Sequence, residues 1–343
     1  MTRKDSMKHN TPQAVAVTAA LLALSAACGV GDSDPNATSS NSGAYPVTVD
    51  NCGRSVTIER QPTRVVALGP SEVTSLYAAG GADKLVGRDD AGQKSKPYPA
   101  EIRDAVAAVP QFGAGGGAIS LESLVALKPD LVVGSVSETI SPETLASVGI
   151  PMLNLRGNCG SDHAPGDNDG TADFDDLYSD VTTFGTVLGT ATHASGTIAD
   201  MRERVERVRA ASTLRGTTAA AVIIFKNSLE VYGARSMTHT QFSHLGIEDV
   251  FAGTDSRVFE TSIEELISRD PDLLVVLSYS ESDDETRRNF LSIPGTDKLK
   301  AVRNNALFVQ PYELSSQGVL SVDGLENMAQ RLPQLVGSPS STQ

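Results

Sequence analysis

With 343 residues the chain is long enough for roughly two domains of ordinary size. Its 42 acidic residues against 28 basic ones leave a formal net charge of −14, which repels phosphate backbones, and the absence of tryptophan with only 5% aromatic residues leaves little on which bases could stack. These balances exclude a nucleic-acid partner.

Arg3, Lys4 and Lys8 precede an apolar run, Ala14 to Ala27 (AVAVTAALLALSAA). Its length suits a signal-peptide core and falls short of the roughly 20 residues that a membrane span needs. The run ends at Ala26-Ala27-Cys28-Gly29, which resembles the lipobox of bacterial lipoproteins, with Ser25 where leucine is usual. Residues 1–27 are therefore read as a signal peptide and Cys28 as a lipidated mature N-terminus; an ordinary secretory peptide with an incidental cysteine is the alternative. Export follows from either. Gly29 to Ala44 (GVGDSDPNATSSNSGA) carries almost no apolar residue and cannot bury enough surface to fold. Residues 28–44 then form an anchor site and a leash, whose length is on the order of 20 to 25 Å. With Cys28 lipidated, Cys52 and Cys159 remain in an oxidising compartment, and one disulfide is the simplest reading, with two buried free thiols as the alternative.

The folded part opens with a plausible hairpin, Val47 to Val49 and Val56 to Ile58 about a turn at Asp50 to Gly53. Val65 to Leu68, Gly69-Pro70-Ser71 and an apolar helix through Leu76 to Ala79 read as strand, loop and helix. The loop stands at the carboxyl end of the strand, where open α/β sheets bind ligands. Ser120 to Ser135 (SLESLVALKPDLVVGS) and Ser262 to Ser278 (SIEELISRDPDLLVVLS) repeat one unit: a capping serine, a short apolar helical face, Pro-Asp, then an all-apolar strand. Ser262 and Glu265 have capping-box spacing, and Pro129 and Pro271 end the helices. An offset of 262 − 120 = 142 residues is far beyond solenoid periods and suits two similar lobes. Strand, loop and helix recur at Val222 to Phe225, Lys226 and Thr240 to Leu245. Between the copies, Phe174 to Ala211 carries Leu177, Val181, Phe184, Leu188, Ile198, Met201, Val205 and Val208 at helical spacing, with a break predicted near Gly189 to Gly196.

Other motifs carry less. Gly113 to Ala118 fits GxGxxG/A, but Pro110 cannot donate to a strand ladder just before it. Asp167-Asn168-Asp169-Gly170 lacks the spacing and closing Glu of a calcium loop and reads as a solvated turn. His163, His193, His239 and His244 do not make a zinc set, and no GxSxG, HExxH or Walker loop is present, so no enzymatic chemistry is expected.

Tyr45 to Arg64 (YPVTVDNCGRSVTIERQPTR), VVALGPSEVTSLYAAGGADKLVG and LESLVALKPDLVVG resemble the ABC-transporter binding proteins of the iron-siderophore, haem and cobalamin class. So do GIEDVFAGTDSRVFETSIEELISRDPDLLVV and AVRNNALFVQPYELSSQGVLSVDGLENMAQRL, and Asn51 to Arg54 with Asn158 to Gly160 resemble an actinobacterial branch. The likeness runs from about Tyr45 to Val336. It implies an α/β protein of two similar Rossmann-like lobes joined by a single long α-helix, with a ligand cleft between them. The lobes would be residues 45–172 and 213–337, the connecting helix 173–212, and 338–343 a disordered tail.

The resemblance also places the cleft. Its loops would be Gly69 to Ser71, Arg88 to Asp90, Gly113 to Gly117, Gly134 to Ser137 and Arg156 onward from the first lobe. Lys226, Arg235 to Met237, Arg257, Tyr279 and Tyr312 would face them, with Gly134 to Ser137 opposite Ser278 to Ser280. Ferric siderophores are often anionic, so Arg88, Arg156, Arg235 and Arg257 are the expected ligand contacts. Lys226, Ser71 and Ser135 join them, and Tyr279 and Tyr312 form amphipathic walls. Such proteins usually dock a permease through one glutamate per lobe; here Thr74 takes the first place, leaving Glu72 as its substitute. In the second lobe the equivalent helix offers His239, Gln241 and His244, with Glu248 just beyond as the substitute docking residue. The implied function is capture of a ferric siderophore for an ABC importer, by a monomeric lipoprotein on the extracytoplasmic face of the membrane. Iron would enter only within the bound chelate, with no other cofactor. Haem or cobalamin binding is the alternative within the class, and a surface interaction or sensory protein on the same fold the alternative outside it.

Overall fold

The computed structural model describes residues 45–89, 98–112, 119–135, 139–159, 171–225, 228–280 and 282–336. The expected signal peptide, Cys28 and expected leash, Gly113 to Ala118, Asp167 to Gly170, Lys226 and residues 338–343 lie outside the described residues.

A hairpin of β1 (Val47–Asn51) and β2 (Arg54–Ile58) leads the fold, paired from Val47↔Ile58 to Asn51↔Arg54. Its two-residue turn has φ of 52° at Cys52 and 69° at Gly53, the paired positive values of a type I′ turn. Cys52 holds that unfavourable conformation while bonded to Cys159, with their Cα atoms 5.2 Å apart. The disulfide expected from the sequence is therefore present.

The first lobe continues with β3 (Val65–Leu68), α1 (Pro70–Ala78), β4 (Leu85–Arg88), α2 (Ala100–Ala108) and α3 (Leu121–Ala126). After it come β5 (Leu131–Gly134), α4 (Pro142–Ala146) and β6 (Met152–Leu153). The strands form a parallel sheet in the order β4-β3-β5-β6. Val65, Ala67, Leu131 and Val133 join the main core on one face. On the other face Val66, Val132 and Met152 meet Leu124 of α3 and Leu145 of α4 in a smaller one. Burial on both faces is why these strands are apolar throughout.

Residues 173–212 hold two helices, α5 (Phe174–Leu188) and α6 (Ala191–Ala211). Gly189, with φ of 71°, closes α5 in the left-handed conformation that glycine adopts freely. The chain then folds back: Gly185 allows Ala194 to pack against it, and the Arg202 guanidinium lies 4.5 Å over the Tyr178 ring. The predicted helix over 174–211 is thus an antiparallel pair. The single long helix leading into the second lobe is α6, of 21 residues. Arg204 fastens α6 to the last helix through Glu326 (3.1 Å) and Asp323.

The second lobe comprises β7 (Thr218–Phe225), β8 (Ser228–Tyr232), α7 (Met237–Leu245), β9 (Glu248–Asp249), β10 (Val258–Glu260) and α8 (Ile263–Arg269). It is completed by β11 (Leu273–Ser278), α9 (Asp283–Leu291), α10 (Lys300–Arg303), β12 (Leu307–Pro311) and α11 (Leu320–Val336). Its sheet runs β10-β8-β7-β11-β12, with β9 also on β7. The β7, β11 and β12 strands are parallel, whereas β8 and β10 turn back antiparallel.

The repeated units are structurally equivalent in detail. Ser120 and Ser262 accept hydrogen bonds from Ser123 N (3.1 Å) and Glu265 N (3.2 Å) as N-caps. The capping box is only half realised, because the Glu265 carboxylate turns forward to Arg269 Nε at 2.9 Å. Before each proline stands a left-handed residue, Lys128 (φ 49°) and Asp270 (φ 41°). The following aspartates clamp the start of the neighbouring strand: Asp130 accepts from Thr63 N and Arg64 N, and Asp272 from Thr218 N. Both lobes thus hold two adjacent parallel strands in register with the same carboxylate.

Candidate ligand-binding cleft

Strand alternation on the antiparallel side of the second sheet points Ile223, Phe225, Glu230, Tyr232 and Val258 to one face, while Leu229 and Val231 are buried on the other. Tyr279, just beyond β11, and Tyr312, just beyond β12, converge on that face. Arg257 reaches it from the residue before β10. Together with Gln317 they line a cavity of about 560 Å³, including the part open to solvent. It lies at the carboxyl ends of β7, β11 and β12, where α/β sheets place ligands.

The cavity walls are aromatic and preformed. The Tyr279 and Tyr312 rings lie 4.6 Å apart, tilted by 37°. Burial pushes the phenols of Tyr279, Tyr312 and Tyr232 above the usual tyrosine range, so all three keep their protons at neutral pH. The turn carrying Tyr312 rests on a buried polar network. Gln241, fully buried on α7, donates to Leu314 O (2.7 Å) and Ser321 O (2.8 Å) and accepts from Ser315 Oγ (2.8 Å), which in turn accepts from Gln310 Nε2 (2.7 Å). Gln241, on the helix where the family resemblance places a docking glutamate, is therefore a support of the cavity wall.

Gly324 of α11 faces the same turn. A Cβ there would overlap the Leu314 carbonyl oxygen and crowd Gln241 Nε2 at 2.8 Å. Backbone cannot give way as a side chain can, so Gly324→Ala is expected to lower stability by about 2 to 3 kcal/mol. It should also weaken ligand binding by displacing Tyr312. Urea unfolding and ligand titration of the variant check both, and a wild-type midpoint with wild-type affinity would refute the close approach.

Of the four predicted arginines, only Arg257 lines the cavity. It also reaches the first lobe, donating to Gly157 O (3.3 Å) and Asn158 Oδ1 (3.1 Å). The others are committed elsewhere as structural clamps. Arg88 Nε donates to Val106 O (3.0 Å), and Arg235 grips Asp255 with two 2.7 Å bonds. Arg156 gives its backbone N–H to the buried Asp180 and reaches Asp50 O. Ser71 meets Ser316 across the lobes, Oγ to Oγ 3.0 Å, and Ser135 Oγ accepts from Asn158 Nδ2 at 2.9 Å. Ser278, expected to look across the cleft, is buried and bonded to Ser280 N (3.0 Å) within its own lobe.

Glu72 corrects another expectation. It is only 4% exposed, on the first turn of α1, with its carboxylate turned back on Gly69, so it presents nothing to a permease. Burial pushes its pKa up to about 8. Glu248 is exposed at the start of β9. His239, also on α7, is engaged with Asp249 at 3.0 Å. Sequence reasoning missed Glu230 and Tyr232, although the alternation of Ser228-Leu229-Glu230-Val231-Tyr232 already marks a strand with one polar face. Among the described residues no group of three or more His, Cys, Asp or Glu is placed to hold a metal ion, and no helix is long and apolar enough to cross a membrane.

Residues 65–314 match the periplasmic binding protein family. An ABC-type Fe3+-hydroxamate transport system structure from Saccharomonospora viridis DSM 43017 superposes with a TM-score of 0.73 at 32% identity, covering 86% of this chain and 100% of that one. An uncharacterized ABC transporter substrate-binding lipoprotein of Bacillus subtilis (strain 168) is 22% identical over 298 residues, 84% of this chain and 86% of its own. A vitamin B12-binding protein of Vibrio parahaemolyticus is 24% identical over 256 residues, 73% of this chain and 82% of its own.

Proposed function

The chain belongs to the periplasmic binding protein family, and on that premise we propose that it captures a ferric siderophore outside the cytoplasm and delivers it to an ABC importer. It is a substrate-binding protein of the siderophore, haem or cobalamin type and not an enzyme. The observation that carries the siderophore reading is the cavity itself: three protonated phenols and one guanidinium around an apolar floor, at the mouth of the lobe interface. Phenols and a guanidinium donate hydrogen bonds to the oxygen-rich shell of an iron chelate while the rings cover its organic backbone. Iron enters as cargo within the chelate.

The Tyr279–Tyr312 pair also raises haem, which some proteins hold through tyrosine. Thermal unfolding of the protein with ferric hydroxamates, a ferric catecholate, ferric citrate, haem and cobalamin separates these ligands. A ferric siderophore at 100-fold excess over its Kd is expected to raise Tm by about 5 °C. A shift with haem or cobalamin alone would overturn the reading. Undiminished growth on that siderophore after deletion of the gene would favour a sensory role instead.

The lipid anchor at Cys28 and the leash of 29–44 belong to the same proposal, supported by the small residues before Cys28 and the polar stretch after it. Cys28→Ala is expected to move the protein from the membrane fraction to the soluble one, as an immunoblot of the two fractions would reveal.

A further inference from the structure

Glu230 sets the cavity apart from a general receptor for anions. Its neighbours on the cavity face are Ile223, Tyr232 and, directly across the strand pair, Glu260. Like charges opposed on neighbouring strands cost stability, and among the described residues no salt bridge joins either carboxylate to a basic side chain. Burial and the Glu260 charge together push the Glu230 pKa up, the mark of a carboxylate whose charge is not compensated. Beside it the Tyr232 phenol, 7% exposed, lines the cavity and makes no hydrogen bond among the described residues. Among the described residues the cavity therefore offers one cation, Arg257, one carboxylate and three phenols, a set with no net preference for anions.

Chelate chemistry gives that balance a consequence. Three monoanionic hydroxamates neutralise Fe3+, so a ferric trihydroxamate has a neutral core, and any ammonium on its backbone makes it a cation. Three dianionic catecholates leave a trianion, which Glu230 would repel at close range. Resting on the siderophore reading above, we propose that Glu230 is a specificity-determining residue that receives an ammonium group carried by a ferric hydroxamate and disfavours polyanionic chelates.

The test is calorimetric titration of the full chain at pH 7.5 with three probes. These are a linear ferric trihydroxamate ending in a primary ammonium, the same chelate N-acetylated, and a ferric tris-catecholate. A charge-assisted hydrogen bond to a carboxylate corresponds to roughly 10- to 100-fold in affinity. The wild type is expected to prefer the ammonium form over the acetylated form by at least about tenfold. The catecholate should bind most weakly. Glu230→Gln should bring the two hydroxamates within about twofold of each other. Glu260→Gln, at the exposed neighbour, should retain the preference. A wild type indifferent to the ammonium, a catecholate that binds tightest, or a Glu230→Gln protein that keeps the preference would each overturn the role of Glu230 and leave the siderophore reading intact. Binding of none of the three would overturn both.

Discussion

Reducing the Cys52–Cys159 bridge is expected to lower the free energy of unfolding by about 3 to 4 kcal/mol, because a cross-link spanning 107 residues removes a large share of the unfolded chain's freedom. The loss should reach the ligand as well. Cys159 directly follows Asn158, which accepts from Arg257 at the cavity and donates to Ser135. The hairpin itself should stay docked, since the Asn51 side chain exchanges hydrogen bonds of 2.9 and 2.8 Å with the Asn154 backbone. The expected pattern is thus a lower urea midpoint and weaker binding with retained secondary structure, in the Cys52→Ala/Cys159→Ala protein as in the reduced wild type. Coincident urea midpoints for oxidised and reduced protein would defeat it.

Glu72→Gln should produce the other large effect, visible only against pH. In the unfolded chain this carboxyl loses its proton near its ordinary value of 4.5, whereas in the fold burial holds the proton up to about 8. Between those values the unfolded state binds fewer protons, so stability falls as pH rises across the window. Glutamine keeps the shape of the neutral acid without the titration. The variant should match the wild type near pH 5 and exceed it at pH 8 by on the order of 3 to 5 kcal/mol. Asp180, also buried and raised by desolvation, should leave part of the slope in place. Parallel stability profiles for the two proteins from pH 5 to 8 would rule this out.

Much of the architecture was legible because it is written in local periodicity. Val65 to Leu68, Leu131 to Val133 and Leu273 to Leu277 are apolar without interruption, since both faces of each strand are covered, and the two Pro-Asp units advertise the pairing of the lobes. What the Pro-Asp aspartates do was not legible. Asp130 and Asp272 look like ordinary turn residues until the strand beside each is known, and only then do they become its clamp. The arginines failed for the same reason. Whether a guanidinium enters a cavity or caps a carbonyl depends on partners distant in sequence: Val106 O for Arg88, Asp255 for Arg235 and Asp50 O for Arg156. Glu72 misled because a glutamate on a first helical turn normally faces water, and nothing local reveals that α1 packs against α5. Tyr279 and Tyr312 were legible because each directly follows a buried parallel strand, which fixes where its side chain can emerge.

Every described residue that lines the cavity comes from the second lobe, between Ile223 and Gln317. The first lobe meets its rim through Gly157 and Asn158. A ligand seated there would keep its contacts with these residues when the lobes part. Parting the lobes would then uncover a bound ligand while the tyrosine wall still holds it.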